Sequence, residues 1–270
     1  MVALLEDLHV IESETRFGMS SPVFLISVIG IYLLLIYKIG PEYMKDRQPY
    51  NLKTFVSIYN IFQVVSCFYL INKVWQLTSW DIFDFQKCTF YKDGTSDRQR
   101  FDYLTYVTFW LKIIELTDTV VFVLRKKRNQ ITYLHVFHHS STITMVYLML
   151  RYYRGNGALY PIFLNCWVHV LMYTYYLLAN ICSTEFMRHL LYVKKSITII
   201  QMIQFIFILI QSLVMWSNCG VPLILRWYYC VVVIVIFYGF YDFYKKAYKS
   251  TAATTTAAAN EETKQNIKNK

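Results

Sequence analysis

Residues 131–150 read ITYLHVFHHSSTITMVYLML. Twenty positions without an acidic residue, lysine or arginine have the length and apolarity of a membrane-spanning helix. Within them His135, His138 and His139 form an H-x-x-H-H cluster. On a helix, positions i, i+3 and i+4 share one face, so the three imidazoles point the same way. Polar groups at membrane depth are costly, turn toward the protein interior and mark function. The rest of the chain is read for what faces this cluster.

The surroundings agree with a membrane. Of 270 residues, 56% are hydrophobic and only 16% charged, too apolar for a soluble domain of this length. A mean hydropathy of +0.33 and repeated apolar runs indicate an all-α, polytopic membrane protein. The net charge of +10 does not point to nucleic acid, because the basic residues gather between apolar runs. Residues 1–21 carry Glu6, Asp7, Glu12 and Glu14 and no basic leader region, so the first span is expected to act as its own signal.

Seven spans are expected, at about 22–38, 54–75, 101–124, 131–150, 158–181, 191–214 and 222–244. Gly40-Pro41 is expected to break the first. The domain runs from 22 to 246, between a short N-terminal lumenal segment (1–21) and a low-complexity tail (247–270). Seventeen lysines and arginines fall after the odd-numbered spans and nine on the other side. That bias predicts a cytosolic C-terminus and a lumenal N-terminus.

Polar residues in other spans fall at a similar depth, in the expected cytosolic half. Lys112, Glu115 and Asp118 step by three along the third span. Asn165, His169, Met172, Tyr173 and Tyr176 share a face of the fifth. Thr198, Gln201 and Gln204 step by three along the sixth. One buried polar chamber open to the cytosol accounts for this coincidence. Asn60, Gln63 and Gln211 read as helix–helix contacts, His9 and His189 as exposed, and Arg125 to Arg128 as a stop-transfer anchor. Cys88 and Cys219 both fall in expected lumenal segments, an oxidising setting that allows a disulfide between them.

Three chemistries compete for the chamber. Histidine boxes hold metal in membrane desaturases and hydroxylases, but only four histidines lie at membrane depth, enough for one ion at most. A seven-span receptor shares the topology and leaves the Asp/Glu/His chamber unexplained. Acyl chemistry uses imidazole as base, oxyanion donor or acyl acceptor. Cys166, three positions before His169, also leaves a Cys–His nucleophile open.

The motifs then reach a resemblance. Lys112 to Thr119 fits K-x-x-E-x-x-D-T, His135 to His139 fits H-x-x-H-H, Asn165 to Tyr176 fits N-x-x-x-H-x-x-M-Y-x-Y-Y, and Thr198 to Gln204 fits T-x-x-Q-x-x-Q. In this order they resemble the fatty acid elongase family of the endoplasmic reticulum, the very-long-chain 3-oxoacyl-CoA synthases. The tail departs from the family's dilysine signal, with Lys268 alone at the third position from the end. The resemblance implies seven helices, six of them enclosing a substrate tunnel. It implies condensation of a long-chain acyl-CoA with malonyl-CoA, with loss of CO2, no metal and no cofactor. It implies His138, His169, His135 and His139 as catalytic groups. Lys112, Glu115, Asp118, Asn165, Tyr173, Tyr176, Gln201 and Gln204 would support them or bind substrate. A ketoreductase, a dehydratase and an enoyl reductase would act on the product, and the oligomeric state is left open.

Overall fold

Ser21 opens the first helix as its N-cap, accepting a hydrogen bond from the Val23 amide at 3.2 Å, and Pro22 occupies the first helical turn, where its missing N–H costs nothing. The computed structural model describes residues 17, 18 and 21–249. Helix α1 spans Pro22–Leu34. Contrary to the sequence expectation, Gly40-Pro41 does not break it. A π-turn over Leu35–Ile39 carries the chain into a further helical turn, Gly40–Tyr43. The Gly40 amide bonds to Leu35 O, five residues back, so the wider turn rearranges the carbonyls that a proline leaves without donors. Gly40 has a second role. A Cβ there would lie 2.7 Å from Val123 Cγ1, so only glycine lets the two segments approach.

The long helices that follow are α2 (Lys53–Thr78), α3 (Ser96–Glu115), α4 (Thr117–Leu124), α5 (Tyr133–Tyr152), α6 (Leu159–Ile181), the short α7 (Thr184–His189), α8 (Leu191–Asn218) and α9 (Leu223–Tyr244). The only β-type pairing among the described residues is an isolated bridge between Phe90 and Gly155. The fold is therefore all-helical. Thr95 caps α3 by accepting from the Arg98 amide, and Thr132 caps α5 by accepting from the His135 amide. The second cap sets His135 in the first turn of α5.

Five stretches among the described residues are long and apolar enough to cross a membrane: Pro22–Tyr43, Lys53–Phe83, Asn156–Ile181, Tyr192–Met215 and Leu223–Tyr248. The expected third and fourth spans fall on α3–α4 and α5. Those helices fall short in apolarity, because α3–α4 carries Lys112, Glu115 and Asp118 and α5 the three histidines. Side chains such as Val23, Ile26, Ile31, Ile58 and Val65 stand exposed along the outer faces, as lipid-facing residues do. The chain is a multi-span membrane protein.

The packing has a simple order. α2 packs on α6, α6 on α8, α8 on α9, α9 on α5, α5 on α3 and α3 on α2. α1 stands beside this set. It buries Leu25 and Tyr32, and the π-turn after it buries Ile36, in a cluster with Phe109, Val136, Ile143 and Tyr147. At one end, the segment between α2 and α3 is tied down. Arg98 Nε bonds Asp102 at 2.8 Å, and Arg98 Nη1 reaches Asp93 at 3.1 Å and Tyr91 O at 3.0 Å. The Tyr91 amide donates to Arg154 O and the Asn156 amide to Thr89 O. Cys88 and Cys219 are joined by a disulfide. The bridge closes a long loop of chain, which restricts the unfolded ensemble. Replacing both cysteines by serine is expected to lower stability by about 2–5 kcal/mol. Thermal unfolding of the purified protein, with and without a reductant, reads this out. Equal midpoints would show that the bridge holds nothing that the buried arginines do not.

Candidate active site

The K-x-x-E-x-x-D-T motif at the junction of α3 and α4 supplies the frame. Residues three apart on an α-helix drift by about 60° per step, whereas a 3₁₀ turn brings them into line. Between α3 and α4 the Leu116 amide bonds Ile113 O and the Thr119 amide bonds Leu116 O, both three residues back. This local tightening reduces the drift, so Lys112, Glu115, Asp118 and Thr119 each reach inward and each finds a partner on another helix.

Lys112 Nζ donates to both carboxylate oxygens of Glu115, at 2.9 and 3.0 Å, and to Asn165 Oδ1 on α6 at 2.6 Å. Glu115 is 1% exposed, and its Oε1 lies 3.2 Å from His169 Nδ1. The Tyr173 hydroxyl donates to Asp118 Oδ2 at 2.7 Å, and the Tyr59 hydroxyl on α2 reaches the same carboxylate. Gln63, one turn beyond, donates to Tyr59 at 2.9 Å. Thr119 Oγ1 lies 2.8 Å from His135 Nε2. On α5 the rings of His135 and His139 are 4.4 Å apart, and those of His138 and His139 5.7 Å.

An elongated cavity of about 140 Å³ runs from this cluster toward the disulfide-tied end. It divides the expected site residues. Lys112, Glu115, His138, Asn165, His169 and Gln204 line it. His135, His139, Asp118 and Tyr173 stand behind that wall and hold it. Gln201 turns to the Met172 sulfur at 3.8 Å, a weak acceptor. Tyr176 is 45% exposed and meets the cluster through its ring contact with Tyr173. The Nδ1 atoms of His138 and His139 are buried and have no hydrogen-bond partner among the described residues.

Three members had no role in the sequence reading. Tyr59, with Asn60, resembles the family's second span but carries no assigned task; Thr119 lies inside the quoted motif without a role; Tyr32 is one more aromatic residue in an apolar span. Cys166 lines the cavity, but the thiol that contacts His169 is that of Cys67, which moves the Cys–His alternative to another helix. Gln211 donates to Gly157 O at 2.9 Å, joining α8 to the turn before α6 as expected. His189 is exposed, while His9 and most of the two terminal segments, 1–16, 19–20 and 250–270, lie outside the described residues. No three His, Cys, Asp or Glu side chains are grouped as ligands of one ion among the described residues. The basic turn after α4 borders the cluster's end of the bundle. There Lys126 Nζ donates to Lys45 O at 3.2 Å, and burial together with the neighbouring Arg125 pulls the Lys127 ammonium below its usual range.

The family model described as "ELO: GNS1/SUR4 family" matches residues 17–256. The chain is 35% identical over 208 residues to very long chain fatty acid elongase 5 of Mus musculus, a match covering 74% of this chain and 63% of that protein. It is 36% identical over 214 residues to very long chain fatty acid elongase F of Drosophila melanogaster, covering 75% and 79%. The chain thus spans less than two thirds of the length of the mouse protein.

A buried ion pair gains little over an apolar pair but leaves a stranded charge when one partner is lost. Lys112→Met is therefore expected to destabilise the protein by about 3–5 kcal/mol. Lys112→Met combined with Glu115→Leu should recover part of that loss. Unfolding followed by tryptophan fluorescence compares the three proteins; a double variant less stable than the single one contradicts this account.

Proposed function

The chain belongs to the GNS1/SUR4 (ELO) family, and on that premise we propose that it is a very-long-chain 3-oxoacyl-CoA synthase. It condenses a long-chain acyl-CoA with malonyl-CoA in the endoplasmic reticulum membrane. The observation that carries this reading is the meeting of His138 and His169 on the wall of one elongated apolar cavity, with Lys112, Glu115 and Asn165 beside them.

The reaction follows from these groups. The acyl chain lies in the cavity and its CoA stays at the basic rim, where Arg125 to Arg128 attract phosphate. An unprotonated His138 nitrogen attacks the thioester carbonyl, and CoA leaves as the thiol, taking up a proton. Malonyl-CoA then enters and loses CO2. The electron pair released attacks the acyl-imidazole carbonyl, the carbon–carbon bond forms and His138 departs. His169, held by Glu115, donates to the developing enolate or thioester oxyanion. Glu115 and Lys112 fix that ring in a low-dielectric setting where charge–charge interactions are strong. Decarboxylation supplies the carbanion, so the step needs no oxidant or reductant. The 3-keto product then calls for reduction, dehydration and a second reduction by separate enzymes.

The cyclic order of packing, in which each of six helices has two neighbours, supports a ring around a tunnel. With α1 outside and α3–α4 and α5 crossing on the strength of internally paired polar groups, the chain has seven spans, a lumenal N-terminus and a cytosolic C-terminus.

Purified protein is expected to extend acyl-CoA with labelled malonyl-CoA, and His138→Ala to abolish extension while unfolding like the wild type. Acyl-CoA alone, followed by a rapid quench and mass spectrometry, should place an acyl group on His138. Extension without any acyl-histidine would remove the two-step route and leave direct condensation. The far end of the cavity is lined by Ser212 and Met215. Ser212→Phe should shorten the longest product and Met215→Ala lengthen it. Unchanged product lengths in both would argue against this direction of the chain.

A further inference from the structure

Helix α1 contributes no side chain to the cavity wall among the described residues, yet one of its residues reaches the histidines. Tyr32 is 3% exposed, and its hydroxyl lies 2.9 Å from Thr119 Oγ1. Thr119 is fully buried, and its Oγ1 lies 2.8 Å from His135 Nε2. His135 in turn packs on His139, and His139 on His138. A chain of contacts thus leads from the outermost helix to the ring on the cavity wall.

The protons in this chain have a preferred direction. The Thr119 hydroxyl carries one proton, so it donates to only one of its two neighbours. If it donates to Tyr32, His135 Nε2 carries a proton and the Tyr32 proton is left without an acceptor in a buried site. Leaving a buried donor unsatisfied costs the full desolvation of that group. If Tyr32 donates to Thr119 and Thr119 donates to His135 Nε2, both buried hydroxyl protons have acceptors, and the one proton left over belongs to the His135 ring, which is only partly buried. His135 then carries its proton on Nδ1. That atom, unlike Nδ1 of His138 and His139, is not among the buried groups lacking a partner. The second arrangement is therefore the lower in energy.

We propose that Tyr32 and Thr119 are positioning residues: they hold His135 as the neutral Nδ1–H tautomer and, through the edge-to-face contacts of His135 with His139 and of His139 with His138, set the orientation of His138. The first span is then a working part of the site rather than an anchor alone. The tautomer follows from the contacts; its consequence for turnover rests on the condensing reading above.

The two parts separate experimentally. Full-length protein labelled with ¹⁵N in its histidine rings is placed in lipid nanodiscs, and His135→Gln identifies the His135 signals. The wild type should show Nε2 at the unprotonated position and Nδ1 at the protonated one. Thr119→Val, which keeps shape and removes the hydroxyl, should move both toward the averaged values of a free imidazole, and Thr119→Ser should restore them. Tyr32→Phe, a change of one buried hydroxyl, should cause an intermediate shift. For elongation, Thr119→Val should lower kcat roughly tenfold with KM for acyl-CoA nearly unchanged, the scale set by one hydrogen bond. Thr119→Ser should stay near wild type. A protonated Nε2 in the wild type overturns the proposal, whether or not the protein elongates anything. So does an active Thr119→Val beside a crippled Thr119→Ser, because packing, not hydrogen bonding, would then be the role. If Thr119→Val fails to fold, Tyr32→Phe carries the same decision.

Discussion

The buried pair of Lys112 and Glu115 is the constraint from which the site is built. Two charges removed from water are tolerable only when they neutralise each other and their remaining hydrogen-bonding capacity is used. Here Glu115 receives Lys112 on both oxygens and lies against His169, while Lys112 also reaches Asn165. These demands draw α3 and α6 together at one depth and fix the register between them. The neighbouring Asp118, met by Tyr173 and Tyr59, repeats the logic one turn further and adds α2. The polar residues that would make these helices poor membrane spans in isolation become the contacts that specify their arrangement.

Around this polar layer the apolar residues do two different jobs. Outward-facing isoleucines and valines meet lipid, where they gain no more than they would in a core. Inward-facing ones line a cavity that the helices do not fill. A membrane bundle without a hydrophobic drive for association must rely on close packing and internal hydrogen bonds. The disulfide between Cys88 and Cys219 and the arginine–aspartate contacts at Arg98 secure the end of the bundle where the cavity closes. The polar layer holds the other end. The space between is left for an apolar guest.

The histidines illustrate how a motif divides its labour. His135, His138 and His139 share a helix face, yet only His138 lines the cavity with His169 opposite. His135 and His139 form its support. Membership of a motif therefore says that a residue belongs to the site, whereas contact decides what it does there.

Much of this was legible before any coordinates. A three-histidine face in an apolar twenty-residue run, the triplet Lys112, Glu115 and Asp118, and Asn165 with His169 and Tyr173 were recognisable because helical periodicity turns spacing into direction. Membrane burial adds that such groups turn inward. The helical class followed from the apolar runs alone. What spacing does not encode is which residue of one helix meets which residue of another. That depends on helix rotation, depth and crossing, set by packing over the whole bundle. Gly40-Pro41 looked like a break and became a π-turn, because Val123 and the carbonyls before the proline could be accommodated together. Tyr32 looked like any aromatic residue of an anchor. Only tertiary structure brought its hydroxyl to Thr119, because the partner lies 87 residues along the chain and no local period links the two.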